Sequence, residues 1–367
     1  MKSEELATAM LKIDIEERLL HFKQPAGTSR GVYTKRRIWL VRVTDRSAVG
    51  VGECAPLPQL SCDDLPNYSE ILRAKSEAFA AAIHQGDAAV SAFFETMRPY
   101  PSMLFGFETA WLTFLNASIS AHPYPLLFDT PFSRGQQGIP INGLVWMGTF
   151  DEMQQRIEQK LAQGFHCVKL KIGAIDFEQE LELLKMIRRR FGPREVELRV
   201  DANGAFAFDE ALYQLEMLSQ YALHSIEQPI RAGQWANMAE LCRESPLRIA
   251  LDEELIGIND PEQKRQMLNI IRPAYIILKP SLHGGMLGCR EWIDIARDMG
   301  IGSWITSALE SNIGLNAIAQ FCSSVYGDAI SFPQGLGTGQ LFTDNIPMPL
   351  EIRGDQLFCC SVLNPRL

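Results

Sequence analysis

The chain has 367 residues, enough for two domains or for one large α/β domain with an appendage. Hydrophobic residues make up 46% and charged residues 22%, which excludes a disordered chain, and a net charge of −9 argues against a general binder of nucleic acid or membrane surfaces. No apolar run reaches transmembrane length, the first ten residues lack a signal-peptide core, and the eight cysteines form no CxxC pair, so free thiols in a reducing cytoplasm are expected.

The first part of the chain, to Asp129, reads as an α+β capping domain. Met10–His21 and Arg37–Val43 read as paired strands, and Ser69–His84 and Phe107–Ser118 as helices. Between the strands, QPAGTSRGVYTKRR (Gln24–Arg37) has two glycines, small hydroxyls and four basic residues, the composition of a mobile loop. A second loop, Glu53–Asp64, is rich in Pro and Cys.

From Gly138 a repeat sets in. Apolar, β-rich segments occur at Ile139–Leu144, Cys167–Ile172, Val196–Asp201, Ser225–Glu227, Ile249–Asp252, Tyr275–Lys279, Gly302–Thr306 and Ala329–Phe332. From the second onward the spacing averages about 27 residues, which suits one strand, one helix and their loops. Amphipathic stretches such as Met153–Gln163, Phe177–Arg190, Asp209–Ser219 and Cys289–Met299 fill the intervals. Eight such strands indicate a (β/α)₈-type TIM barrel over 130–342. A doubly wound open sheet is the competing fold, and no Gly-x-Gly-x-x-Gly opens a helix after any of these strands. Residues 343–367 contain one more strand-like run, Leu357–Val362, expected to return to the cap.

Three of the barrel strands end in acid: Asp201, Glu227 and Asp252, about 25 residues apart. A strand buried on both faces does not end in a carboxylate without a partner. In a sequentially ordered barrel these ends are neighbours on the active-site face and can share one partner. With no His or Cys in the set, three carboxylate oxygens with room for water suit Mg²⁺ better than Zn²⁺. Any one of the acids alone suits a helix cap or a lysine partner equally well.

Strand two, VKLKIG (Val168–Gly173), places Lys169 and Lys171 on one face and Val168, Leu170 and Ile172 on the other. Strand six ends in Lys279, across the barrel. A salt-bridged pair at an exposed strand end is the plain reading of the first two, and a lysine reaching into solvent that of the third. Opposed across a divalent cation, the lysines suit abstraction of a proton next to a carboxylate. Asn203, two past Asp201, points the same way. Ser307 in TSALES (Thr306–Ser311) offers a hydroxyl for a substrate carboxylate or for helix capping. His283 reads as a loop or cap residue, and no GxSxG motif is present.

The ordered set KxK, Asp201, Glu227, Asp252 and Lys279 resembles the enolase superfamily over nearly the whole chain. The resemblance implies a modified (β/α)₇β barrel behind an α+β cap. It assigns the three acids to Mg²⁺, proton removal and return to Lys171, stabilisation of the enediolate from the opposite face to Lys279, and tuning of Lys171 to Lys169. Strand seven carries no His, which points to the muconate-lactonising subgroup rather than the mandelate racemase type. The Asp-x-Asp that holds a substrate ammonium in dipeptide epimerases is missing from Phe332–Phe342, so an anionic substrate is expected. AGTSRG (Ala26–Gly31), NGLVWMG (Asn142–Gly148) and GLGTGQLF (Gly335–Phe342) resemble the dehydratase branch of the subgroup. That branch eliminates water from 2-succinyl-6-hydroxy-2,4-cyclohexadiene-1-carboxylate in menaquinone biosynthesis. For such a small-molecule dicarboxylate, Arg30, Lys35 and Arg36 of the early loop are candidate contacts, as are Asn203 and Ser307. An N-acylamino-acid racemase on the same scaffold and a non-catalytic ligand-binding barrel are the alternatives.

Overall fold

The computed structural model describes residues 11–28, 31–119, 124–327, 330 and 332–360. The first sheet is antiparallel, in the order β1 (Lys12–Thr28), β2 (Gly31–Thr44) and β3 (Val49–Cys54). β1 and β2 extend through most of the segment expected to be a loop: Ala26 pairs with Tyr33 beyond a register shift that starts after His21. The glycines and hydroxyls that suggested a loop are absorbed by this irregularity and the turn. Three helices follow: α1 (Tyr68–Gln85), α2 (Asp87–Thr96) and α3 (Pro101–Ile119). α3 lies directly on β3. A Cβ on Gly52 would sit 1.9 Å from the Gly106 carbonyl oxygen, so this approach requires glycine.

Next come β4 (Ile139–Pro140), β5 (Gly143–Val145), α4 (Phe150–Ala162), β6 (Cys167–Lys171), α5 (Phe177–Arg190), β7 (Glu197–Asp201) and α6 (Phe208–Ser219). They are followed by β8 (Ser225–Glu227), α7 (Trp235–Glu244), β9 (Ile249–Leu251), α8 (Pro261–Ile271), β10 (Tyr275–Leu278), α9 (Gly285–Asp298), β11 (Gly302–Ile305) and α10 (Asn312–Tyr326). β5 to β11 form one parallel sheet in chain order. The helix starts carry strong local signals. Thr149 and Glu152 form a capping box at α4, and Asp260 caps α8 with Pro261 at its first position.

Two details of the barrel differ from expectation. Strand one is split: Ile139–Pro140 pairs with the C-terminal hairpin, and only Gly143–Val145 joins the barrel. The closing strand is shifted. Ala329 and Ser331 lie outside the described residues and Phe332 is a bend, while Gln334 bridges to Ile141 and Gly335 to Thr306. These bridges join the end of β11 back to the first strand, so six ladders between seven strands and one pair of bridges make the (β/α)₇β barrel.

The tail serves two places. Phe342 bridges to Phe22 of β1 and packs its ring against it at a tilt of 47°, and Thr343 N donates to the His21 carbonyl at 2.9 Å. Further on, β12 (Leu350–Arg353) and β13 (Gln356–Cys359) form a hairpin whose second strand pairs with β4. The run expected to return to the cap thus lies beside the barrel's first strand, because β4 offers it a partner; its end, 361–362, lies outside the described residues.

The N-terminal unit is fastened to the barrel by buried carboxylates at helix starts. Glu53 accepts from Ser311 N and Gly314 N at α10, both at 2.9 Å. Glu108 accepts from Met286 N at 2.6 Å and Leu287 N at 2.9 Å at α9. The orphan N–H groups at both helix starts give these buried carboxyl oxygens their donors. Among the described residues, no helix is long and apolar enough to cross a membrane, and the cysteines are unpaired.

Candidate active site

The barrel delivers its charged groups to one end. Lys171 is the last residue of β6, Asp201 of β7 and Glu227 of β8, while Asp252 and Lys279 directly follow β9 and β10. Lys171 pairs in register with Asp201, and Asp201 with Glu227. All three acids are buried, at 1%, 2% and 0% exposure, so each must find a partner within the protein.

The lysines supply partners. Lys169 Nζ is 2.9 Å from Asp201 Oδ2 and also contacts Glu227 Oε2. Lys171 Nζ is 2.9 Å from the same Asp201 oxygen and donates to Asn203 Oδ1 at 2.7 Å. Lys279 Nζ contacts Asp252 Oδ2. Asn203 takes a left-handed φ of 46°, its N–H reaches Asp201 Oδ1 at 3.0 Å, and its amide donates to Glu253 Oε1 at 2.9 Å. The plain reading of an ion-paired lysine set is therefore satisfied, but in a buried cluster instead of at an exposed edge.

Charge in this cluster is unevenly shared. Burial opposes ionisation of Asp201, yet the ammoniums of Lys169 and Lys171 outweigh it and hold the carboxyl well below the usual range. Burial likewise opposes ionisation of Asp252, and Lys279 holds it low. Glu227 is driven the other way: burial and then the charge of Asp201 push it well above its ordinary value. Burial and Asp252 raise Glu253. The lysines do not neutralise the site fully, so it favours additional positive charge.

Two carboxylate oxygens point to where that charge belongs. Glu227 Oε1 and Asp252 Oδ1 are buried without a hydrogen-bond partner. Oxygens of this kind in a hard, all-carboxylate set fit Mg²⁺. Among the described residues no three acidic, His or Cys side chains form a finished metal cage; lysine ammoniums instead occupy one oxygen of each acid. The donors fit a divalent cation once those ammoniums give way.

Above the cluster opens a cavity of about 460 Å³. Lys169, Lys171 and Lys279 reach it from the barrel, and Tyr33, Leu57 and Leu60 from the N-terminal unit. Ser307 and Thr338 line it as a hydroxyl pair 2.6 Å apart. Ser311, five residues after Thr306, instead caps α10 by accepting from Ile313 N, so the TSALES segment meets the capping role and leaves Ser307 on the cavity wall. Arg30 lies outside the described residues. Arg36 is no substrate contact: it is buried, and its guanidinium donates to the carbonyls of Ala55, Pro56, Ala308 and Leu309. A basic loop composition does not reveal that four backbone carbonyls elsewhere consume the donors.

Sequence reasoning missed a supporting layer. Gln228, at φ 41°, donates to Glu254 and accepts from Asp252 N at 3.3 Å and Glu254 N at 3.1 Å. Gln228, directly after Glu227, and Glu254, two after Asp252, were the available signal. His283 is fully buried behind Lys279, whose N–H it accepts at 2.9 Å, and burial pulls its imidazole down to about 3, so it is neutral.

A family model described as enolase C-terminal domain-like matches residues 152–353. An o-succinylbenzoate synthase of Desulfotalea psychrophila (strain LSv54 / DSM 12343) is 47% identical over 364 residues, covering 92% of this chain and 96% of that one. The crystal structure of MenC from Desulfotalea psychrophila LSv54 superposes with a TM-score of 0.79 at 41% identity, over 95% of this chain and 99% of that one. A dipeptide epimerase from Enterococcus faecalis V583, solved with Mg and the dipeptide L-Leu-L-Tyr, superposes with a TM-score of 0.79 at 18% identity, covering 95% and 96%; that likeness is one of fold.

Proposed function

The chain belongs to the enolase C-terminal domain-like family of the enolase superfamily, and from that premise we propose that it is an o-succinylbenzoate synthase, a hydro-lyase. The observation that carries this reading is the 47% identity to such a synthase across nearly the full length of both chains. The reaction removes water from 2-succinyl-6-hydroxy-2,4-cyclohexadiene-1-carboxylate and leaves an aromatic dicarboxylate. We assign it to menaquinone biosynthesis in the cytoplasm.

Asp201, Glu227 and Asp252 are the residues that would hold Mg²⁺, which when bound supplies positive charge to the oxyanion as the α-proton leaves. Lys171 Nζ takes the proton from the carbon bearing the carboxylate. The electron pair left behind expels the hydroxyl from the neighbouring carbon, and Lys171 returns its proton to that hydroxide, so water leaves and the lysine is regenerated. Asn203 orients Lys171 through their hydrogen bond of 2.7 Å. Lys169 keeps a second ammonium on the Asp201 oxygen that Lys171 also contacts. Lys279, on the far side of the acids, offers its charge to the substrate carboxylate face opposite Lys171. Ser307 gives a neutral donor at the cavity wall for the second carboxylate.

Turnover of the cyclohexadiene by the purified protein with Mg²⁺ tests the reading directly. Lysines on both sides of the acids also suit two-base exchange. Incubation with N-succinylamino acids in deuterated water separates the two: α-deuterium exchange without dehydration favours the racemase, and dehydration without exchange the synthase.

A further inference from the structure

Lys279 carries its ammonium at the end of β10, and its own backbone needs a fixed position there. The carbonyl before it, on Leu278, accepts from Thr306 N at 2.8 Å, but no neighbouring strand receives the N–H of Lys279. The chain turns back at once: Leu282 N and His283 N both donate to the Lys279 carbonyl, at 2.8 and 2.9 Å. The His283 ring then closes the turn from the other side, its Nδ1 accepting the Lys279 N–H at 2.9 Å. Both polar groups of the Lys279 backbone are thus held by one residue.

The acceptor role of Nδ1 fixes the tautomer, and the proton sits on Nε2. Nε2 is buried, meets no acceptor at hydrogen-bond distance, and lies beside Asp252, whose backbone and carboxylate both favour a proton on the ring. Asp252 Oδ1 also lacks a partner. The turn itself is tightly packed: a Cβ on Gly288 would lie 2.5 Å from the His283 carbonyl oxygen, so the start of α9 lies against the backbone that carries the ring. A turn that merely ended a strand would need no buried imidazole. Any residue can supply the His283 N–H, and a solvent molecule can serve an exposed lysine N–H.

Resting on the synthase reading, we propose that His283 is a positioning residue: one buried ring fixes the backbone of Lys279 and packs beside Asp252, setting an ammonium relative to a metal-binding carboxylate. Its action is through these two residues, without contact to substrate. Misplacement by a fraction of a bond length at either one lowers the rate of the chemical step more than it weakens substrate binding.

Three variants in the full chain test this. His283→Phe keeps the ring volume and removes both nitrogens. His283→Asn keeps an acceptor near the Nδ1 position, and His283→Gln does not. Expected for His283→Phe is a kcat about 10- to 100-fold lower with KM within about threefold. Mg²⁺ affinity, measured by calorimetry on substrate-free protein, falls about 3- to 10-fold. His283→Asn restores kcat to within about fivefold of the unmodified protein. Retention of both kcat and Mg²⁺ affinity in His283→Phe overturns the proposal, as does equal loss in the Asn and Gln variants. If His283→Phe does not fold, the Asn and Gln pair decides alone, with Asn faster by about tenfold expected. Lack of turnover by the unmodified protein overturns the synthase reading, and Mg²⁺ calorimetry then still decides the role of His283. Lack of Mg²⁺ binding by the unmodified protein overturns both.

Discussion

Glu108 joins α3 to the start of α9 from a fully buried position, and burial pushes its carboxyl up to about 8 from an ordinary 4.5. Below about pH 4.5 the group is protonated in the folded and unfolded chain alike. Between 4.5 and 8 the folded chain keeps a proton that the unfolded chain has lost, so stability declines as pH rises, and the decline is complete above the folded value. From pH 5 to pH 8 that spans three pH units, or about 4 kcal/mol at about 1.36 kcal/mol per unit. Glu108→Gln cannot titrate. Its amide also presents a donor to one of the two helix N–H groups, a pH-independent cost of about 1–3 kcal/mol. Urea unfolding of both proteins at pH 5, 6, 7 and 8 reads the difference. The unmodified protein should lose ground to the variant steadily over this range, by up to about 4 kcal/mol. A difference that stays flat, or grows in favour of the unmodified protein as pH rises, would refute a buried carboxyl held protonated at the helix start.

Other outcomes follow from the same contacts. Arg36→Met removes the donors shared by Ala55, Pro56, Ala308 and Leu309, whose segments also carry the cavity wall. Stability should fall by about 2–4 kcal/mol in urea unfolding, with KM rising more than kcat falls. Glu227→Gln should cost less thermal stability without Mg²⁺ than Asp201→Asn, because Glu227 meets one lysine ammonium and Asp201 two. The unmodified protein should gain about 2.7 kcal/mol at a hundredfold excess of Mg²⁺ over its dissociation constant, and the variant far less, as thermal shift with and without EDTA will report. Asp201→Asn leaves Lys169 and Lys171 without their shared carboxylate and should cost about 3–5 kcal/mol in the metal-free protein.

Much of the site was legible because the barrel writes it at strand ends. Lys171, Asp201, Glu227, Asp252 and Lys279 all fall at or directly after the last residue of their strands, and an interval of one strand plus one helix is hard to mistake. Legibility ended where pairing is not carried by a run of β-formers. Pro140 has no N–H and splits the first strand, while Gln334 and Gly335 close the barrel through bridges in a stretch of Pro and Gly. Contacts between distant segments were invisible for a different reason. Nothing near Glu53 or Glu108 names a helix start about 180 to 260 residues later, and nothing in the basic run around Arg36 shows that it is buried. His283 falls between these cases: it is four residues from Lys279, but only the turn brings its ring under that N–H.

The central claim is that Lys171 moves the proton in a Mg²⁺-dependent dehydration. One assay meets it most directly: o-succinylbenzoate formation from the cyclohexadiene, followed for the unmodified protein and for Lys171→Ala, with Mg²⁺ affinity and thermal stability measured on both. The expected result is turnover by the unmodified protein and a loss of at least about 10³-fold in kcat for the variant, which still binds Mg²⁺ and stays folded. Comparable kcat in the two proteins, or no o-succinylbenzoate from the unmodified one, would contradict it.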